Sequence, residues 1–94
     1  MNWSEYKKQV KQSDPIAKEI LEESEAEAAI ISAIIKQRSS LGISQRELAS
    51  LCNIPQSSVA RIESSKTTPR LDTLLKIFKQ LGLSLSVTTA TPTR

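Results

Sequence analysis

Gln56, Ser57, Ser58 and Arg61 fall within six residues of one another in the stretch QSSVARIE. They are small, amide-bearing and cationic side chains, suited to hydrogen bonding along the edges of flat heterocycles. At roughly 100° per residue, Val59 and Ile62 share one side of a helix here, while Ser57, Ala60 and Arg61 turn the other way with Gln56 near the leading end. A helix fits the major groove of DNA, where glutamine can pair bidentately with adenine and arginine with guanine, and where small residues permit close approach to base edges. A second group follows in SSKTTPR, residues 64–70, where Lys66, Thr67, Thr68 and Arg70 combine hydroxyls with two cations and no acid. Such groups grip phosphate oxygens and set register without reading sequence. Singly, each of these residues would suit an ordinary solvated surface; their weight depends on what positions them.

The positioning elements begin at Ser44. Glu47 follows three residues later, so hydroxyl and carboxylate can satisfy backbone N–H groups in a capping box, and a helix starts at Gln45. Ile43 and Leu48 occupy the places of a hydrophobic staple. Leu48, Ala49 and Leu51 supply a buried side, with Ala49 small enough for a second helix to cross closely. Asn53 tolerates the left-handed conformation needed for a tight turn. Pro55 presets the backbone at the first position of a second helix, which is predicted to run from about Pro55 to Glu63.

From Arg38 to about Val87 the sequence resembles the Cro/C1 or XRE-type helix-turn-helix domains of phage repressors. Gln45 opens the first motif helix, Ala49 follows four residues on, Asn53 stands where Gly is usual, and Ile62-Glu63 closes the second helix. Pro55 replaces the usual Ser or Thr cap, and Ser65 stands where Gly is common. The resemblance implies an all-α, lambda repressor-like bundle of short helices. It also implies an ion pair between Arg38 and Glu63 that clamps the scaffold helix to the recognition helix, and a 64–70 loop lying on the DNA backbone. The candidate DNA-binding residues are therefore Gln45, Gln56, Ser57, Ser58, Arg61, Lys66, Thr67, Thr68 and Arg70.

Ninety-four residues give one small domain with a thin core, which a homodimer would help to complete. Hydrophobic residues at 38%, with no apolar run long enough for a membrane span, predict a soluble protein. No signal peptide is legible, and a lone Cys52 cannot form an internal disulfide, so a cytoplasmic setting is expected. Residues 1–27 hold four Lys against seven acids, a net of −3, and residues 28–94 hold nine Lys or Arg against three acids, +6. The basic part suits phosphate; the acidic part would attract a basic protein.

Along the chain, Trp3, Tyr6 and Val10 form one stripe of a short amphipathic helix. Asp14-Pro15 starts a second helix bearing Ile16 and Ile20, and Ser24 with Glu27 suggests a fresh start or kink. The pattern then continues to Leu41, with Gly42 as its stop. Leu71, Leu74, Leu75, Ile77, Phe78 and Leu81 mark a last helix ended by Gly82. The alternation in residues 83–89 predicts a short C-terminal β-strand. The expected organisation is thus an N-terminal helical extension, 1–27, a helix-turn-helix domain with its strand, 28–89, and a flexible tail, 90–94.

The chain has no His, both glycines serve as helix stops, and no phosphate-cradling loop or calcium loop is present. No catalytic group, metal site or cofactor is expected. Two readings share the DNA-binding centre. One is a stand-alone XRE-family repressor that binds operator DNA as a dimer. The other, favoured because such repressors need no acidic, aromatic extension, rests on a layout similar to HigA-type antitoxins of type II toxin-antitoxin pairs. That resemblance implies a small basic toxin of the RelE/HigB ribonuclease kind and autorepression of the shared operon; the apolar stripe of Trp3, Tyr6, Val10, Ile16 and Ile20 is the candidate partner-binding surface, with the C-terminal strand as the alternative or additional holder.

Overall fold

A computed structural model of the chain describes residues 2–7 and 14–89. All regular structure among them is helical: residues 3–7 (α1), Pro15–Leu41 (α2), Gln45–Cys52 (α3), Gln56–Glu63 (α4) and Leu71–Leu81 (α5). The chain divides into two compact units, Met1–Ala33 and Ile34–Arg94, so the division falls within α2.

In the first unit, Asn2 Oδ1 accepts the Glu5 N–H at 2.8 Å at the start of α1. The Trp3 and Tyr6 rings stack at 5.5 Å, and Lys7 Nζ lies 5.6 Å from the Trp3 ring centre and 3.8 Å from the Glu25 carboxylate. Asp14 caps α2, its Oδ1 accepting the N–H groups of Ile16 and Ala17 at 3.0 and 3.2 Å, while Pro15 takes a first position where its missing N–H costs nothing. The restart expected at Ser24 does not occur. Glu and Ala dominate residues 22–29 and are strong helix formers, so the intrahelical ladder runs on and leaves no orphan N–H for a second capping box. Val10 and the tail 90–94 lie outside the described residues.

In the second unit the core gathers Ile34, Leu48, Ala49, Cys52, Val59, Ile62, Leu74, Ile77, Phe78 and Leu81. The helix α3 packs on both α4 and α5. Gln37 Nε2 donates to the Leu81 carbonyl at 2.8 Å, joining the last part of α2 to the end of α5. Leu51, expected inside, is exposed, because the buried arc of α3 passes through positions 48, 52 and 49. Cys52 takes that place, and its burial pushes the thiol pKa up against a smaller opposing pull from Lys76. Likewise α5 buries a narrower stripe than the sequence suggests, leaving Leu71 and Leu75 exposed.

The four longer helices end in one way. Gly42, Asn53, Ser65 and Gly82 have φ of 72, 57, 60 and 75°. The next residue's N–H reaches back five positions in each case, from Ile43 to Arg38, Ile54 to Ala49, Lys66 to Arg61 and Leu83 to Phe78. This is the Schellman arrangement, which satisfies carbonyls that the helix itself leaves open. Asn accepts the left-handed region readily; Ser does so at a cost of about 1–2 kcal/mol. Ser65→Gly is accordingly expected to raise stability by about 0.5–1 kcal/mol after the added freedom of the unfolded chain is deducted, measured as a higher urea midpoint.

The C-terminal β-strand is not present: residues 83–89 have no regular structure. A strand exists only when its N–H and C=O groups find a ladder, and the described residues contain no other strand to provide one. Alternation alone leaves Val87 93% exposed.

Candidate nucleic-acid interface

The interface is built on α3, the turn and α4. Ser44 Oγ accepts the Glu47 N–H at 3.0 Å and Glu47 Oε1 accepts the Ser44 N–H at 2.9 Å, so the capping box fixes where α3 begins. Asn53, at φ 57° and ψ 46°, then turns the chain. Pro55 stands one position ahead of the place expected for it, as the cap before Gln56, with φ −66° and ψ 147°. It offers no side-chain acceptor, so the first-turn N–H groups of α4 have no side-chain cap and lie at the same end as Gln56.

Val59 and Ile62 are buried, and Gln56, Ser57 and Arg61 are exposed on the other side of the same eight-residue helix; Ser58 is half-buried. Ser58, Arg61, Thr67, Thr68 and Arg70 line one cleft of about 240 Å³ between α4 and the start of α5. Lys66, Thr67, Thr68 and Arg70 are exposed. Arg70 lies 3.3 Å from Asp72, but both are largely solvated, so this pair constrains the guanidinium little.

A network behind α4 holds it. Arg38 Nε and Nη2 donate to the two oxygens of Glu63 at 2.7 and 2.9 Å, and Nη1 donates to the Ile43 carbonyl at 3.0 Å. Burial alone would push the Glu63 carboxyl up; hydrogen bonds from Arg38 and Gln45 and the charge of the guanidinium outweigh it and hold the pKa below the usual carboxylate range. The hydrogen bond to Glu63 raises the Arg38 pKa in turn. Gln45 is part of this network, its Nε2 donating to Glu63 Oε1 at 3.0 Å, so its amide faces the brace.

Sequence reasoning missed Arg46. It is exposed on the first turn of α3, and its Nε lies 3.4 Å from Gln56 Oε1. No motif marks it; the signal was only a cation ten positions ahead of Gln56. In the first unit, the residues expected to hold a protein partner are open to solvent: Trp3 and Tyr6 on α1, and Ile16 and Ile20, 71% and 61% exposed, one turn apart on α2. Among the described residues no group of His, Cys, Asp or Glu could hold a metal ion, and no helix is long and apolar enough to cross a membrane.

The helix-turn-helix family model HTH_3 matches residues 34–87. An uncharacterized HTH-type transcriptional regulator of Haemophilus influenzae is 40% identical over 86 residues, 92% of this chain and 83% of the relative. The HTH-type transcriptional regulator PuuR of Escherichia coli is 43% identical over 49 residues, which are 52% of this chain but only 26% of PuuR. Among solved structures, a chain described as a toxin-antitoxin module from Streptococcus pneumoniae matches with a TM-score of 0.73 at 35% identity, over 97% of this chain and 94% of that one. With its DNA-reading unit matched nearly end to end, and a regulator similar to it along most of both lengths, the chain belongs to the XRE-type helix-turn-helix family of DNA-binding transcriptional regulators.

Proposed function

We propose that this regulator is an antitoxin: a non-enzymatic, cytoplasmic protein that binds its own operator as a dimer and neutralises a small basic ribonuclease toxin of the RelE/HigB kind. The observation that carries the reading is the 97% coverage by the chain from the pneumococcal toxin-antitoxin module, which takes in the residues ahead of the helix-turn-helix as well as the motif itself. The exposed Trp3–Tyr6 stack and the exposed Ile16 and Ile20 supply the apolar anchors a protein interface needs, on a segment of net negative charge.

On the DNA side, Gln56, Ser57, Ser58 and Arg61 read base edges while Lys66, Thr67, Thr68 and Arg70 hold phosphates, and Gln45 contributes through the brace behind them. A dimer places two copies of α4 about one helical turn, ~34 Å, apart on a near-palindromic operator. The similarity to a relative known as a transcriptional regulator favours a second reading, a repressor without a toxin.

Deleting residues 1–24 separates the two. The truncated chain is expected to lose rescue of growth when co-expressed with the toxin encoded beside it, yet still to shift its own promoter in an electrophoretic titration. Loss of both activities, or of neither, would count against the division of labour. A full-length chain that binds the promoter but rescues no toxin leaves the repressor reading standing alone.

A further inference from the structure

We infer that Arg46 is a positioning residue for Gln56, and that the two together select guanine where a lone glutamine would select adenine. Arg46 is the second residue of α3 and Gln56 the first of α4, on helices that pack against each other. The hydrogen bond from Arg46 Nε to Gln56 Oε1, 3.4 Å long, joins two exposed side chains at the leading end of the reading helix. A guanidinium has donors and no acceptor, so the amide oxygen must be the atom turned toward it and the amide nitrogen the atom turned away.

That orientation changes what the glutamine can recognise. Adenine asks it both to donate to N7 and to accept from the N6 amino group. Arg46 takes one of the two lone pairs of the accepting oxygen and sets a cation where the N6 donor would approach the other. Guanine presents O6 and N7, two acceptors, to the Gln56 amide nitrogen that Arg46 leaves turned outward. Gln45 does not compete for this role, because its amide is turned to Glu63.

The test is selection from a random duplex library by the full-length protein and by Arg46→Ala, Arg46→Lys and Gln56→Ala, each checked for helical content. The native protein is expected to enrich guanine at the position that Gln56→Ala randomises. Arg46→Ala should swing that one position toward adenine by about tenfold in the guanine-to-adenine ratio, with its neighbours unchanged. Arg46→Lys keeps both the charge and a donor without an acceptor, and should retain the guanine preference with the salt slope intact. Arg46→Ala weakening all duplexes alike, with guanine still preferred and the salt slope reduced by about one, would make Arg46 a phosphate anchor and overturn the proposal. Adenine already enriched by the native protein would overturn it too, while leaving α4 as the reading helix; native protein that enriches nothing would remove both.

Discussion

Arg38→Ala should cost about 3 kcal/mol of folding stability, a large share of the roughly 5–15 kcal/mol that holds a small domain together. The substitution removes both hydrogen bonds to the Glu63 carboxylate, whose side chain is 6% exposed, and leaves Gln45 as its remaining donor. It also frees the Ile43 carbonyl at the entrance to α3. A charge stranded in that position is the expensive outcome; exchanging Arg38 and Glu63 together for apolar residues of similar volume should cost much less. Urea unfolding of the two variants checks this, and a loss under about 0.5 kcal/mol in Arg38→Ala would show that the pair is no brace. The same network sets a pH dependence. The folded-state pKa of Glu63 is lowered, so its contribution is complete above the ordinary carboxylate value and disappears as pH falls through the lowered one. Glu63→Gln should flatten that acid limb of the stability curve.

Arg61→Ala and Lys66→Ala should damage DNA binding in opposite ways. Arg61 is exposed on the face of α4 opposite Val59 and Ile62, where its fork can meet O6 and N7 of a guanine. Its loss should cost about 1–3 kcal/mol on the matching operator and little on operators altered at that base pair. Lys66 is exposed in the connection after α4, and as a phosphate contact, the role proposed for it, its loss should weaken every duplex alike and reduce the dependence on salt by about one counterion. Titrations of both variants against a panel of single-mismatch operators at several salt concentrations distinguish the two patterns. Reversed patterns would exchange the roles of helix and loop.

The local devices were legible because each is written in adjacent residues. Ser44 with Glu47, Asp14 with Pro15, Asn53 and the two glycines all specify backbone geometry within four or five positions, and each shows it in the structure. What depends on distant groups was harder to read. Whether residues 83–89 form a strand is decided by the presence of another strand, which alternation cannot supply. Gln45 opens the first motif helix, a place the sequence shows, while the direction of its amide is set by a carboxylate eighteen positions away, which the sequence does not show. Arg46 was passed over for the same reason: its significance comes from a contact with Gln56 across the turn. Leu51, Leu71 and Leu75 show the remaining limit, since periodicity locates an apolar stripe but not the width that neighbouring helices cover.

The repeated helix ending has a kinetic consequence. Each reversal in the second unit is accomplished within a few residues, by a left-handed residue followed by a backward N–H bond, so successive helices meet with little chain entropy lost to loop closure. Topologies of this sort acquire their shape in microseconds to milliseconds. A chain that refolds so quickly after a transient opening gives proteases acting on this unit only brief access to its backbone, and its lifetime then follows the equilibrium population of the open form rather than the rate at which it opens.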